Sequence, residues 1–292
     1  RSTPKPSSAA SDVYKRQLSD ACGAEILGVD LRKPLDPQTL KAIEEAWYEH
    51  LVIIFRDQDI SNDDQVRFCK YFGDLEEVRT GKYANEEMQY TMMITNVTDT
   101  GMQTALENGD MWFHSDQCYY ETPARATILY ALEVPAEGGN TKFANAYRAY
   151  NSLDDATKER LKGLKAHNVY DYDANATVKT NESAADAPRF EHPVVIRHPE
   201  TGREVLYVNR LMTDHIVGIE RAESDALLED LFQVLEDPAH TYEHVWTPGD
   251  LVMWDNLCTL HARTWFDPSM SRVLRRTTVA GQPPEAALAD AA

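Results

Sequence analysis

The spacing of apolar residues predicts a few helices among many short strands. Leu40, Ile43 and Trp47 fall at positions i, i+3 and i+7 of one stretch, which is the spacing of the buried face of a helix. Ser61 has the chemistry of an N-cap for a second helix, which Gly73 would end. The predicted helices are residues 36–50, 61–71, 146–165 and 224–236.

The strand candidates are short apolar or β-branched runs bounded by turns. The run "LVIIF" at residues 51–55 is continuously apolar, which is typical of a buried strand. Two β-rich runs around "PETG" at residues 199–202 predict a hairpin. Loops are predicted over residues 97–111 and 171–191, which are polar. The other predicted strands are "MQYTMMITNV" (88–97), "RATILYALEV" (125–134), "TKFAN" (141–145), "YEHVWTPGDLVMWDN" (242–256), "TLHARTWF" (259–266) and "RVLRRTTVAG" (272–281).

Many short strands with a few inserted helices favour one β-rich domain, a barrel or a sandwich with helices packed outside. The chain has no internal repeat and no clear linker. Its first residues are rich in Ser, Ala, Pro and Lys and are expected to be a non-native or disordered leader. The predicted division is a leader over residues 1–17, a single domain over 18–283 and a flexible tail over 284–292.

The net charge and hydropathy of the chain restrict the classes of partner that it can bind. The formal net charge of −19 argues against a nucleic-acid surface, because such a surface needs clustered Lys and Arg. An anionic substrate would meet the same repulsive field, so local arginines must hold it. No apolar run approaches the roughly 18 residues that a membrane span needs, which predicts a soluble protein with no membrane partner.

The spacing of the cysteines indicates a reducing compartment and contains no metal-binding or redox motif. None of them forms a CxxC pair or has zinc-site spacing, and no signal peptide is recognisable, so a reducing cytoplasm is expected. We expect all of them to be buried small hydrophobic residues. The cysteines are Cys22, Cys69, Cys118 and Cys258.

The sequence "WFHSD" contains the first candidate for chemistry. His114 and Asp116 are two residues apart, so in a strand their side chains point to the same face and can converge on one ion. A second histidine would complete the set of two His and one carboxylate that non-heme Fe(II) oxygenases use. Alone the pair is a weak signal, since a surface His beside a solvated Asp has the same spacing.

The third ligand must come from another strand, and His261 differs from the other histidines. It lies in a predicted strand and is followed eleven residues later by Arg272, which fits a site that binds a metal and an anion together. His192 and His198 are expected at the surface beside prolines, and His167 and His215 at the ends of helical stretches. The remaining candidates are His50, His240 and His244.

Several motifs together carry a more specific resemblance. The segments "WFHSD", "GGNTKFAN", "LYVNRLMTDHIVG", "GDLVMWDN", "LHAR" and "SRVLRRTTV" occur in an order similar to the taurine dioxygenase / 2,4-dichlorophenoxyacetate dioxygenase family, over residues 27–283. The resemblance implies a double-stranded β-helix (jelly roll). It also implies an enzyme that uses Fe(II), 2-oxoglutarate and O2 to hydroxylate a small anionic substrate, with release of succinate and CO2.

The resemblance also implies a role for each matching residue. His114, Asp116 and His261 would be the iron ligands. Thr141 would contact 2-oxoglutarate, and Arg272 would pair with the distal carboxylate of that cosubstrate. No general acid or base is implied beyond the metal centre.

A second arginine is implied to face the substrate. Arg276 matches the family's residue for the substrate anion, and it lies two strand periods after Arg272, so both are expected on one face. Arg275 should point the other way, into a surface ion pair. Trp112, Trp246 and Trp254 are expected in the core.

The chain departs from the family members that act on taurine. Its segment "EEVRTGKY" lacks the histidine that those members carry, and "VNRLM" replaces a "VNEGF"-type sequence. Arg79, Arg210 and Met212 are therefore additional candidates for the substrate pocket. We expect a carboxylate with an apolar or aryloxy group, or a sulfonate, rather than taurine itself.

Two other functions remain open from the residues alone. A zinc-dependent hydrolase could use the same His/Asp/His set, and a jelly-roll binding protein could have lost catalysis. The family resemblance also implies a homo-oligomer.

Overall fold

The computed structural model describes residues 14–78, 88–97, 110–170 and 187–287. The helices are α1 (Pro37–His50), α2 (Asn62–Cys69), α3 (Ala146–Ser152), α4 (Asp155–Leu161) and α5 (Arg221–Leu235), and a short 3-10 helix spans Pro238–His240. The strands are β1 (Tyr14–Gln17), β2 (Ala24–Leu27), β3 (Val52–Phe55), β4 (Thr91–Thr95), β5 (Met111–His114), β6 (Ala126–Glu133), β7 (Thr141–Asn145), β8 (Lys165–Val169), β9 (Arg189–Pro193), β10 (Val195–Arg197), β11 (Glu204–Leu206), β12 (Thr213–Ile216), β13 (Thr241–His244), β14 (Leu251–Asp255), β15 (Thr259–Arg263), β16 (Val273–Val279) and β17 (Glu285–Ala286).

Two sheets form the frame of the predicted jelly roll. The larger has the strand order β1-β2-β3-β14-β6-β16-β4, and the smaller has the order β13-β7-β15-β5. Their facing side chains form one core, in which the rings of Phe143 in β7 and Trp254 in β14 are 5.3 Å apart. The fold class is therefore a double-stranded β-helix, as expected. Smaller sheets, β11-β10-β17 and β12-β8-β9, lie outside this pair.

The larger sheet is buried on both faces, which explains the continuously apolar run "LVIIF". In β3, Val52 and Ile54 belong to the core shared with the smaller sheet, while Ile53 and Phe55 pack in a second core with α1 and α2. A side chain in a strand alternates between faces. A strand covered on both sides therefore needs an apolar residue at every position.

The predicted helices form, with shifts at their ends. Asp36 caps α1, and Ser61 caps α2 through a reciprocal capping box with Asp64. The single helix predicted over residues 146–165 is wrong, because Asp154 caps a new helix, α4, and Lys165 already begins β8. Helix α2 ends two residues earlier than predicted, and α5 begins three residues earlier.

Several predicted environments of single residues are corrected. His192 and His198 are each 1% exposed rather than at the surface. His167 and His215 lie on the neighbouring strands β8 and β12, with stacked rings 5.0 Å apart, rather than at helix ends. Trp112 is 36% exposed rather than in the core. Trp246, Trp254 and all four cysteines are buried, as expected.

The segments expected to lie outside the domain are partly ordered into sheets. The last four residues of the expected leader form β1, which pairs with β2. Glu285 and Ala286, in the expected tail, form β17 and pair with β10. The predicted loops over residues 97–111 and 171–191 lie mostly outside the described residues, and β5 and β9 begin within their last residues. Among the described residues, no helix is long and apolar enough to cross a membrane.

Candidate active site

The smaller sheet places four polar residues on one face. In β15, His261 lies opposite His114 of β5 and Phe143 of β7, and Arg263 lies opposite Thr141 of β7. Directly opposed residues of an antiparallel pair project from the same face. That face is turned to the larger sheet, since the His261 ring is 4.7 Å from the ring of Trp254. The barrel interior therefore contains His114, His261, Thr141 and Arg263.

Asp116 joins the two histidines through a turn. Strand β5 ends at His114, so the strand alternation expected for His114 and Asp116 does not apply, and Gln117 follows with a φ of 62°. The Asp116 Oδ1 atom is 3.8 Å from His114 Nε2 and 3.9 Å from His261 Nε2. The three side chains can each offer one ligand atom, all within 4.8 Å of one another. The three residues that the sequence predicts as one cluster therefore lie together, but a turn places Asp116 there rather than the alternation of a strand.

The histidine chemistry fits a divalent metal. The His114 Nδ1–H can donate to the carbonyl oxygen of Trp112 at 2.9 Å, which leaves the Nε2 lone pair facing Asp116. Burial lowers the pKa of His114. Burial, then the charge of His114, holds the pKa of His261 well below its usual range. Neutral imidazoles are the form that binds metal.

The carboxylate of Asp116 is ionised and held on its other side. Burial acts to raise the pKa of Asp116, but the positive charge of Arg276 opposes it, and the pKa is lowered. The Asp116 Oδ2 atom accepts a hydrogen bond from Thr127 Oγ1 at 2.6 Å and pairs with Arg276 Nη2 at 2.9 Å. Oδ1 remains directed at the two imidazoles. Two neutral histidines and one carboxylate are the donor set of a non-heme Fe(II) centre.

The Gly-Gly turn before β7 positions Arg272. Gly138 and Gly139 have φ values of 74° and 66°, and a Cβ on Gly138 would lie 2.2 Å from the carbonyl oxygen of Trp265. The Gly139 N–H donates to that carbonyl, and the Gly139 carbonyl accepts from Arg272 Nε at 3.0 Å. Only a glycine turn allows this close approach. The turn therefore holds the guanidinium against the cavity wall.

Arg272 and Thr141 lie on the wall where the resemblance expects 2-oxoglutarate. Arg272 is 4% exposed, and burial, then the charge of Arg263, lowers its pKa to about 9. Thr141 Oγ1 accepts a hydrogen bond from the indole N–H of Trp246 at 3.0 Å. With that lone pair occupied, the Thr141 hydroxyl proton is available to donate to a ligand. A guanidinium and a hydroxyl donor suit a carboxylate.

A cavity of about 1770 Å³ connects these groups. Its polar lining includes His114, Asp116, His261, Arg272 and Arg276, and also Lys70, Asp74, Glu76 and Glu77. Its apolar and aromatic lining includes Met92, Ile94, Leu129, Met212, Tyr119 and Tyr170. Met92 and Leu129 lie directly opposite Arg276 on the neighbouring strands, so apolar residues flank this arginine.

Only some of the residues predicted to bind the substrate line the cavity. Met212 and Arg276 line the cavity, as expected. Arg210 does not, because its guanidinium pairs with Glu229 of α5 and with Glu236, which caps that helix, so this prediction is wrong. Arg79 lies outside the described residues.

Arg275 points away from Arg276, as the strand period predicts, but its expected surface ion pair is wrong. Its side chain is 8% exposed and donates to Gln65 Oε1 and to the carbonyl oxygens of Ile60 and Ser61. The second core covers that face of the sheet, so the guanidinium is satisfied by α2 and the residues before it.

Sequence reasoning missed two residues of this wall. Arg263 was read only as part of "LHAR", although its position two residues after His261 is one strand period away and places it on the same face. Trp246 was expected in the core, and its hydrogen bond to Thr141 had no signal in the sequence. A bond between β7 and the segment after β13 depends on strand pairing that only the fold reveals.

Comparisons with known proteins show the family of the chain. The model of the taurine catabolism dioxygenase TauD, TfdA family matches residues 15–278. An (S)-phenoxypropionate/alpha-ketoglutarate-dioxygenase of Sphingobium herbicidovorans is 33% identical, over 91% of this chain and 94% of the relative. A pentalenolactone F synthase of Streptomyces avermitilis is 32% identical, over 91% of this chain and 93% of the relative.

Solved structures are similar as well. The crystal structure of a taurine dioxygenase from Burkholderia xenovorans has a TM-score of 0.81 at 30% identity, covering 94% of this chain and 91% of that one. A match over most of the chain, a shared fold and a cavity with two histidines and a carboxylate lead to one conclusion. The chain belongs to the TauD/TfdA family and is an Fe(II)- and 2-oxoglutarate-dependent dioxygenase that acts on an anionic substrate.

Proposed function

We propose that this dioxygenase hydroxylates a small carboxylate that carries an aryloxy or other apolar group. His114, Asp116 and His261 would hold the iron, and Thr141 and Arg272 would hold 2-oxoglutarate. The observation that supports the substrate class is the cavity itself, where Arg276 pairs with Asp116 and is flanked by Met92 and Leu129 of the neighbouring strands. In a chain of net charge −19, a partly buried cation at the cavity is the local attraction that an anion needs.

Arg276 retains donors for a substrate while it holds Asp116. Its Nη2 pairs with Asp116, and its Nε lies 3.3 Å from Thr278 Oγ1, so Nη1 and the second proton of Nη2 remain. Its side chain is 20% exposed at the cavity. A planar guanidinium fits a carboxylate and also accepts a sulfonate. The apolar wall with Met212, Tyr119 and Tyr170 favours a carboxylate with an aryl or alkyl body.

The residues of the chain would bind, orient and exclude water. When bound, iron, 2-oxoglutarate and O2 supply the oxidation, with succinate and CO2 as products. Arg272 and Thr141 would fix the distal carboxylate of the cosubstrate, and Arg276 would place the substrate's anionic head. The phenoxypropionate named for the Sphingobium relative fits such a pocket. The two alternatives, a zinc hydrolase and an inactive binding protein, do not fit the dioxygenases that the chain resembles.

Other features of the chain remain proposals. We propose one catalytic domain that extends beyond the expected residues 18–283 to include β1 and β17. We also propose a homo-oligomer without nucleic-acid or membrane partners, and light scattering coupled to size-exclusion chromatography would test the oligomeric state. The four cysteines are buried and form no disulfide within the described part of the chain, which fits a reducing compartment such as the cytoplasm.

A substrate screen with Arg276→Leu tests the proposed substrate. Aryloxyalkanoates, alkyl carboxylates, sulfonates and phosphonates are offered to the enzyme, and substrate-dependent succinate is measured. For the accepted anion, Arg276→Leu should raise KM about tenfold or more, since a hydrogen bond to a charged group contributes about 1.5–3 kcal/mol. Decarboxylation of 2-oxoglutarate without substrate should persist. A neutral substrate that both enzymes use equally well would contradict the proposal.

A further inference from the structure

Met212 lines the cavity, and both its backbone and its side chain are held in place. Its backbone N–H donates to Asn209 Oδ1 at 2.8 Å, and its carbonyl oxygen accepts from the Val169 N–H at 2.9 Å. Its Sδ atom accepts a hydrogen bond from the Cys118 thiol, with 3.5 Å between the two sulfur atoms. A methionine side chain ordinarily adapts its shape through three rotatable bonds. Contacts at the backbone and at the thioether therefore restrict a residue type that is usually adaptable.

The Cys118 thiol is held in turn by Asn209. The Asn209 Nδ2 group donates to Cys118 Sγ at 3.4 Å, while Oδ1 of the same amide accepts from Met212. The backbone of Asn209 is fixed by Thr213, because the Asn209 N–H donates to Thr213 Oγ1 and the Thr213 N–H donates to the Asn209 carbonyl, each at 3.0 Å. Cys118, Asn209 and Met212 therefore form a closed set of hydrogen bonds, which we call the sulfur triangle.

The sulfur triangle connects the cavity wall to the turn that contains a metal ligand. Cys118 lies two residues after Asp116 in the turn that follows β5, so their Cα atoms are at most about 7 Å apart. Cys118 and Asn209 are buried, and neither is among the described residues that line the cavity. Any effect of these two residues on a substrate must therefore be transmitted by residues that they hold, such as Met212.

We propose that Cys118 is a positioning residue that fixes Met212 as a rigid part of the cavity wall and so limits the width of the substrate's apolar body. While the thiol holds the thioether, the wall keeps one shape beside the turn of Asp116. Without the thiol, Met212 can change rotamer and make room for a wider ring. This inference rests on the proposed function, in which the apolar or aryloxy body of the substrate lies in this cavity.

The first test measures the mobility of Met212 by NMR and needs no substrate. The methionine methyl groups are labelled with ¹³C, the protein is loaded with diamagnetic Zn²⁺, and Met212→Leu identifies the Met212 signal. The order parameter of this methyl group should fall by roughly a third in Cys118→Ala, from the rigid towards the flexible range. Cys118→Ser retains a hydrogen-bond donor and should retain most of the order. Cys69→Ala removes a thiol from the second core and should leave the Met212 signal unchanged.

The second test compares two aryloxyacetates that have the same anionic head. Phenoxyacetate has a single ring, and 2-naphthyloxyacetate has a wider, fused pair of rings. Cys118→Ala should raise kcat/KM for the naphthyl acid relative to phenoxyacetate about fivefold or more, because the shape of an apolar pocket discriminates between substrates on this scale. Cys118→Ala should not change this ratio further in a Met212→Leu background, where the thioether acceptor is already gone.

The outcomes separate this inference from the proposed function. A Met212 methyl group that is as ordered in Cys118→Ala as in wild type would overturn the inference, and so would an unchanged ratio of the two kcat/KM values. Cys118→Val fills similar space without a donor, and it replaces Cys118→Ala in both tests if the alanine variant does not fold. If wild type converts neither acid, the proposed substrate class fails, while the methyl measurement still decides whether Cys118 positions Met212.

Discussion

Two buried clusters of side chains contain similar residue types that could bind a metal, but only one of them is arranged to do so. We call His114, Asp116 and His261 the open cluster, and His198, Asp255 and Cys258 the sealed cluster. In each cluster the carboxylate pairs with an arginine, Arg276 in the open one and Arg125 in the sealed one. The difference lies in which imidazole nitrogen is available and in what borders the carboxylate.

The hydrogen bonds of the imidazole set the first difference. His198 Nδ1 accepts from the backbone N–H groups of Glu200 and Thr201, so its Nε2 carries the proton and donates to Asp255 at 2.9 Å. No lone pair is left for a metal. In His114 the arrangement is reversed, because Nδ1 donates to a carbonyl and Nε2 is an acceptor. The same residue type is a structural donor in one cluster and a potential ligand in the other.

The arginine sets the second difference. Arg125 bonds Asp255 and lies 4.6 Å over the ring of Trp47, so the guanidinium itself supplies the positive charge that a metal would bring. Arg276 instead holds the outer oxygen of Asp116 and borders the cavity. A set of histidine, aspartate and cysteine therefore does not define a metal site. A metal site is defined by imidazole nitrogens with free lone pairs and by a carboxylate oxygen that no other group occupies.

Matched substitutions of the two aspartates give the largest expected contrast. Asp116→Asn should abolish Fe(II) binding and turnover, because the open cluster loses its anionic ligand. Asp255→Asn should leave metal content near normal but lower the free energy of unfolding by about 3–5 kcal/mol, since Arg125 is then buried without a charge partner. Metal analysis and urea unfolding of both variants measure the two effects. Equal metal loss in the two variants would remove the distinction drawn between the clusters.

Acid unfolding tests whether the stability lost in Asp255→Asn comes from the charge of Asp255. Burial acts to raise the pKa of Asp255, but Arg125 and His198 outweigh it and the pKa is lowered. A folded-state pKa below the unfolded value of about 3.9 stabilises the protein above that pH, and this stability is lost as the pH falls. The stability gap between wild type and Asp255→Asn should therefore narrow as the pH falls below about 4. A gap that is constant with pH would assign the loss to packing.

Arg272→Ala is expected to have the next largest effect, confined to the cosubstrate. Loss of the partner of the distal carboxylate should cost about 2–5 kcal/mol, so the affinity for 2-oxoglutarate should fall at least about tenfold. Fe(II) binding should barely change, because Arg272 contacts no residue of the open cluster in the described contacts. Titration of 2-oxoglutarate into metal-loaded protein measures this. An unchanged affinity would transfer the role to another arginine.

The sequence was informative where local rules decide the structure. The continuously apolar run of β3 and the N-cap Ser61 each follow from the conformation that one short segment must adopt. The resemblance to a known family added the residues of the open cluster and the jelly roll. The conformations of the local segments depend little on which distant segment packs against them.

The rest depends on contacts between distant segments. Arg210 is predicted in the pocket, but its partners are a glutamate of α5 and the glutamate that caps α5, nineteen and twenty-six residues further along the chain. The burial of His198 follows from its contact with Asp255, fifty-seven residues away. Periodicity states which face a residue occupies but not what covers that face. Arg275 illustrates this, since its direction was predicted correctly and its environment was not.

The smallest expected effect concerns Trp246, which supports the cosubstrate wall from behind. Its indole N–H donates to Thr141 Oγ1, and both residues are buried. We expect this bond to orient the Thr141 hydroxyl so that its proton points into the cavity. Trp246→Phe retains most of the ring but loses the donor, which should weaken 2-oxoglutarate binding by about 0.5–1.5 kcal/mol, or roughly two- to tenfold.

A double-mutant cycle isolates that orienting role. If Trp246 acts through the threonine hydroxyl, Trp246→Phe should have no further effect on 2-oxoglutarate affinity in a Thr141→Val background. Trp47→Phe is the control, because Trp47 is equally buried but packs in the second core, where its indole nitrogen has no hydrogen-bond partner among the described residues. It should change stability and leave the affinity as it is. Additive losses from Trp246→Phe and Thr141→Val would show that Trp246 acts by packing, because a residue that orients the hydroxyl has nothing left to orient once the hydroxyl is gone.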